Sequence, residues 1–189
     1  MKPVTRILLP AVAVAVVAVV ITLSAGSDAH SQPSAKPGSD FSPDVSIAEV
    51  MESIVMPAAQ AVWDAVAVNV TADGIIEDIP ETDEEWEMVR WSAVNLAEAT
   101  NLLVIPGRAV APPGEVSEFP EQELGPEQIK VLLDKNWPAW IGHTKALHAI
   151  AMQTIKVIDA HDVDGLTEIG GAIDEACENC HLQFWYPEQ

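Results

Sequence analysis

The two cysteines of this 189-residue chain stand at Cys177 and Cys180, and His181 follows the second directly. On a helix, residues at i, i+3 and i+4 share one face, so both thiols and the imidazole meet a single ligand. Cys-x-x-Cys-His is the spacing of covalent c-type haem attachment. Two thioether bonds hold the haem vinyl groups while the neutral imidazole takes an axial position on iron. A Cys-x-x-Cys pair also serves in thioredoxin-like redox sites and as half of a zinc site. The first expects a βαβ context, which the periodicity does not offer. The second needs further ligands that no other cysteine here can supply.

The chain opens with Lys2 and Arg6 and then runs apolar from Ile7 to Leu23, interrupted by Pro10 and Thr22. A basic segment followed by an apolar one is the pattern of an export signal. The run nearly reaches the length of about 20 residues that spans a bilayer, so residues 1–25 read as a cleaved signal or as an uncleaved membrane tether through residues 7–25. Both readings export the remainder, which places it in the periplasm, where c-type haem attachment is possible. Residues 26–44 are rich in Ser, Pro, Gly and Asp and read as a flexible linker. Residues 45–189 then form one domain of ordinary size. Cleavage after Ala25 leaves 7 Lys and Arg against 29 Asp and Glu, a formal charge of −22. Such a surface argues against nucleic acid and anionic lipid as partners and suits a partner protein with a basic docking patch, although a solvated acidic face needs no partner.

Four segments carry helical periodicity, and no convincing alternating strand pattern separates them. The expected class is all-α. Ser46 caps a first helix with Ile47, Val50, Met51, Ile54, Val55, Ala58 and Val62 on its apolar stripe, closing near Asp73-Gly74, and Pro57 should kink or break it. Thr82 to Glu85 form a capping box for a second helix, which Pro106-Gly107 stops. Residues 107–124 hold three prolines and make a long connection that lies over a site or crosses the bundle. Gly125-Pro126 starts a third helical region that Pro138 divides, the longer piece running from about Ala139 to Ala160. Asp162 caps a last helix in which Leu166, Ile169, Ile173, Ala176, Cys177 and Cys180 recur at helical spacing. The expected architecture is an antiparallel four-helix bundle, with haem between facing helices and attached near the C-terminus of the last one. Gly170-Gly171 weakens that helix, which implies close approach of the haem or of a neighbouring helix.

A Cys-x-x-Cys-His at the extreme C-terminus of such a bundle resembles the class II c-type cytochromes, the cytochrome c prime family with its low-spin relatives. The resemblance covers roughly residues 45–187. It extends to Val50-Met51-Glu52 with Ala61-Val62-Trp63, to residues 97–103 with Pro106-Gly107-Arg108, and to residues 180–187. It implies that His181 is the proximal iron ligand and that the first helix faces the distal side. In that family a distal methionine accompanies low-spin electron carriers, and a leucine or phenylalanine accompanies high-spin gas binders. The likeness also implies that homodimers are an option. Two departures stand out. Phe184 is followed by Trp185 where many members carry a basic residue, and no Lys or Arg occurs between Lys36 and Arg90. Arg90 and Arg108 are therefore the remaining candidates to pair with a haem propionate.

Met51 and Met56 are the first helix's candidate ligands. At i and i+5 on an α-helix they point about 140° apart, and Met51 is preferred because it shares the apolar stripe. Its plainer role is a core methionine filling a gap. Met56 stands beside Pro57 and is the weaker choice. His143 and His148 on the long helix could ligate only if that helix faced the distal side, and His30 and His161 suggest no role. Trp63, Trp86, Trp140 and Trp185 are candidates to wall the haem, though aromatic residues at this spacing are core residues first.

The expected function is single-electron transfer by one covalent haem c bound through Cys177, Cys180, His181 and Met51, with no enzymatic activity. The alternative is a five-coordinate haem that binds or senses a small gas. A third reading keeps the bundle without haem, its cysteines paired or holding another metal. No nucleophile-base pattern or phosphate-cradling glycine loop supports a hydrolase or transferase.

Overall fold

A computed structural model describes residues 42–71, 74–77 and 79–186. Residues 1–41, on which the expected leader, most of the expected linker and His30 fall, lie outside the described residues. Among the described residues no helix is long and apolar enough to cross a membrane.

The chain is mainly helical, as expected. Helix α1 (Ile47–Val50) starts on a capping box: Ser46 Oγ accepts from the Glu49 N–H at 3.2 Å, and the Glu49 carboxylate accepts from the Ser46 N–H at 2.8 Å. The next two orphan donors of this terminus find partners outside the helix. Ile47 N–H donates to Ala109 O at 2.8 Å and Ala48 N–H to Val110 O at 2.9 Å. The connection after the second long helix is thereby sewn onto the start of the first.

The helix continues as a π-helical turn, Met51–Val55, and then as α2 (Met56–Asp64). Pro57 is the second residue of α2. A proline lacks the N–H and its ring crowds the carbonyl four residues back, and a wider turn just before it relieves that crowding. The expected kink or break is thus a π-turn in a continuous helix. The same turn changes the relation of the two methionines. Met56 N–H donates to Met51 O, so these residues are one turn apart and stack on one side, and the 140° separation of a regular α-helix does not apply.

The first helix ends at Asp64 rather than near Asp73-Gly74, and two short strands follow where none was expected. β1 (Val68–Thr71) pairs antiparallel with β2 (Gly74–Glu77), Val68 opposite Glu77 and Thr71 opposite Gly74. Val-Asn-Val-Thr is rich in the β-branched residues that favour strands. Asp-Gly signals a hairpin as well as a helix stop, and Gly74 takes a positive φ of 137° that suits glycine. Asp73 itself lies outside the described residues.

Helix α3 (Asp83–Leu103) begins at the expected box of Thr82 and Glu85 and gives way at Val104, before Gly107 with φ 88°. Helix α4 (Pro126–Lys135) starts at Gly125-Pro126, and α5 (Trp137–Asp159) takes Pro138 into its first turn, where a missing N–H costs nothing. Asp162 caps α6 (Val163–Phe184) through the Gly165 N–H at 3.0 Å.

Helix α3 packs on α5, α5 on α6, and α2 against both α3 and α6. Val50, Val62, Leu96, Leu103, Ile158, Leu166 and Ile173 are fully buried between them, each large aliphatic side chain contributing about 1.5–3 kcal/mol. Where α2 meets α6 the approach is close: Trp63 Nε1 donates to Gly170 O at 2.9 Å, and a Cβ on Gly170 would lie 3.2 Å from Trp63 Cδ1. The neighbouring helix therefore accounts for Gly170, whereas a Cβ on Gly171 would meet nothing. Toward its N-terminus the first helix diverges from α6. No Cα of α1 or the π-turn comes within 8 Å of one in α6.

Candidate functional site

The divergence leaves a cleft between the first helix and the end of α6. Cys177, Cys180 and His181 line it from α6, and Met51, Val55, Met56, Ala59 and Trp63 line it from the first helix; its volume is about 520 Å³. Trp140, His143, Thr144 and Leu147 of α5 form a further wall. Such a volume falls in the range of cofactor pockets, and the lining is mostly apolar, as such pockets are. The helical periodicity that placed Ile169, Ile173 and Ala176 inward also turns the two thiols and the imidazole toward this space. Both cysteines are half-buried and unpaired.

A second hollow of about 480 Å³ meets the first at Met51, Glu52, Glu123, Trp140, Cys180, His181 and Trp185, and is covered by residues 110–124. The long connection therefore lies over the site. It is fastened at its start by the two bonds to α1 and by Arg108, which donates to Leu102 O at 2.9 Å and to Val45 O. At its end Leu124 N–H donates to Trp185 O at 2.8 Å.

Burial governs the electrostatics of the motif. It pushes the Cys177 thiol above its ordinary value, with help from Asp174, and the Cys180 thiol up to about 12, with help from Cys177. Burial lowers the His181 imidazole against the opposing pull of Glu178. Burial thus favours the neutral form that a metal requires. Its ring lies 5.7 Å from Trp185 and 6.3 Å from Tyr186, and the N–H groups of both residues donate to its backbone carbonyl.

The structure gathers Cys177, Cys180, His181 and Met51 around one cleft. Met51 is half-buried and Met56 is 53% exposed at its edge, so both methionines face the same space and Met51 is the deeper. Trp63, Trp140 and Trp185 wall the site, while Trp86 stacks on His161 at 4.8 Å, remote from it. His143 reaches the cleft but its Nε2 lies 2.6 Å from Gln183 Oε1. His148 does not line it; its Nδ1 sits 2.9 Å from Thr100 Oγ1 and 3.1 Å from Ala97 O.

The arginines expected near a propionate are elsewhere. Arg90 pairs with Asp159 at 2.7 Å, and Arg108 is committed to backbone carbonyls. Among the described residues no lysine or arginine lines either hollow, whereas Glu52, Glu115, Glu118, Glu123, Asp174 and Glu178 do. This carboxylate rim was missed from the sequence, because it comes from three separated segments and its excess of acid is shared by the whole chain.

The donor set suits a planar group that brings most of its own metal ligands. Among the described residues no three His, Cys, Asp or Glu side chains converge as a metal site would need. Two thiols, one neutral imidazole and a facing thioether can together hold haem c. Compared with known protein families, characterised proteins and solved structures, the chain finds no match.

Proposed function

We propose that the chain is a periplasmic monohaem c-type cytochrome of four-helix-bundle architecture that carries single electrons. The observation that supports this most is the wedge itself. The first helix is pinched onto α6 at Trp63 and Gly170 and held away from it at Met51, so the opening lies where Cys177, Cys180 and His181 face inward.

Cys177 and Cys180 would each add S–H across a vinyl double bond, which consumes no oxidant, and His181 and Met51 would bind the iron. Iron held in this way would supply a one-electron couple. The chain contributes a fixed pair of ligands, apolar walls from Val55, Ala59 and Leu147, and exclusion of water by the covering connection. A thioether ligand from methionine raises the potential relative to imidazole, while the carboxylate rim favours the oxidised, more positive state. No acid or base is needed for electron exchange, and we assign no enzymatic activity.

The hollow of about 480 Å³ on the Met51 side favours one second reading, a five-coordinate haem that binds a small gas there. Absorption of the oxidised protein separates the two: a methionine-to-iron charge-transfer band that Met51→Leu abolishes marks the electron carrier. Ready spectral change of the reduced protein under carbon monoxide, with Met51→Leu silent, marks the gas binder and removes Met51 as ligand.

A further inference from the structure

The connection over the site carries two apolar side chains that the fold leaves outside. Val116 is 76% exposed and Phe119 is 55% exposed, although both line the hollow that reaches Cys180 and His181. A loop with freedom to do so would turn such side chains inward. This one is fastened at both ends, by the bonds of Ile47 and Ala48 to Ala109 O and Val110 O and by Leu124 to Trp185 O. Its outward face is therefore pre-organised, and a pre-organised face loses little entropy on binding. Glu115 adjoins Val116 and Glu118 adjoins Phe119 along the chain, both acids exposed, and residues 109–123 contain no lysine or arginine. Exposed apolar side chains beside carboxylates suit a docking surface with a polar rim, and the sign of the acids specifies their complement.

We propose that Glu115, Val116, Glu118 and Phe119 form the docking face for a protein that presents lysines or arginines around an apolar contact, and that electrons enter or leave the cleft through this face. The proposal rests on the electron-transfer reading and adds where the partner binds and what it must look like. In the exchange, one electron passes between the reduced protein and an oxidised metalloprotein partner, with no bond formed or broken and no proton moved. The rim steers a cationic partner at long range, an effect of roughly 10- to 1,000-fold on association that fades with salt. Val116 and Phe119 act only at contact, so their share persists when the charges are screened.

The test uses the haem-loaded protein, reduced, mixed by stopped flow with an oxidised lysine-rich class I cytochrome c as probe, across a salt series. Glu115→Lys with Glu118→Lys should slow the second-order rate about tenfold or more at low salt, and Phe119→Ala should slow it at high salt. The control pair Glu87→Lys and Glu168→Lys carries the same charge change on exposed positions elsewhere. Position 168 lies about 18 Å along α6 from Cys180. The control should leave most of the rate intact. Equal slowing by both charge pairs would mean that net charge alone steers the partner and would overturn the docking face. So would a dimer in sedimentation that Phe119→Ala dissociates, because the patch would then be covered by a second copy. If the purified protein carries no covalent haem, the electron-transfer reading fails first and takes the docking face with it. Haem present with a rate indifferent to Glu115, Glu118 and Phe119 sinks the docking face alone.

Discussion

Gly170 and Gly171 sit side by side in α6, yet alanine should have opposite effects at the two positions. On an exposed helix position, Gly→Ala gains about 1 kcal/mol. Gly171 is exposed and its added methyl would meet nothing, so Gly171→Ala should stabilise by about 0.5–1 kcal/mol. At Gly170 the methyl carbon would stand 3.2 Å from Trp63 Cδ1, and the same indole is tied to Gly170 O at 2.9 Å. Moving the ring aside strains a packed contact, at about 1–3 kcal/mol, and weakens a hydrogen bond worth about 1 kcal/mol. These costs exceed the propensity gain, so Gly170→Ala should destabilise by about 1 kcal/mol or more. For a domain of this size each kcal/mol moves Tm by roughly 2–4 °C, so the two single variants should differ by at least about 3 °C. Urea and thermal unfolding of the protein as expressed would measure this. In a Trp63→Leu background Gly170→Ala should lose its penalty and become neutral or stabilising. If Gly170→Ala matches Gly171→Ala with Trp63 in place, the pinch between α2 and α6 is not a tight contact and the origin of the cleft must be sought elsewhere.

Two further outcomes follow from the capping boxes and the half-buried His148. The carboxyls of Glu49 and Glu85 lie below their ordinary value of 4.5, Glu49 through its bonds from Ser46 and Glu85 through the backbone N–H groups of Glu81 and Thr82. A depressed pKa in the folded state gives stability that is present above 4.5 and lost as pH falls through the folded value. Urea midpoints should therefore drop on acidification below 4.5, and Glu49→Gln with Glu85→Gln should flatten that part of the profile. An unchanged slope would remove these boxes from the acid response. His148→Ala, which opens the contact with Thr100 and Ala97 O, should cost about 1–2 kcal/mol and leave the visible spectrum of the haem-loaded protein unchanged. A changed spectrum would make His148 an iron ligand.

Much of the local structure was legible because its signals are short-range. Ser46, Thr82 with Glu85, and Asp162 each announce a helix start within four residues, and α1, α3 and α6 begin there. Pro126 and Pro138 mark first turns for the same reason. The hairpin at residues 68–77 was not legible, since four-residue strands offer too few alternations and Asp-Gly ends a helix as readily as it turns a hairpin. The π-turn was also hidden. Pro57 foretold a local conflict, but whether a helix breaks or widens there depends on what packs against it, here the core that holds Val55 and Ala58 in place.

The site divides in the same way. Cys177, Cys180 and His181 share a helix, so their common face follows from spacing alone. Met51 belongs to another element, and only the wedge between the first helix and α6 brings it to the same cleft. The carboxylate rim and the remoteness of Arg90 and Arg108 depend wholly on tertiary placement. Nothing in the spacing of Glu52, Glu115, Glu123 and Glu178 marks them as neighbours of the motif. The fastened connection lies between these cases: its length and prolines suggested a segment that lies over a site or crosses the bundle, but its anchors at Ala109, Val110 and Leu124 are backbone groups with no sequence signature.

The most direct measurement is an alkaline pyridine assay on the protein expressed with a working c-type maturation system, beside the Cys177→Ser, Cys180→Ser double variant. One covalent haem per chain is expected in the first and none in the second. A folded, haem-free protein from the unaltered sequence would contradict the proposal that this cleft holds haem c.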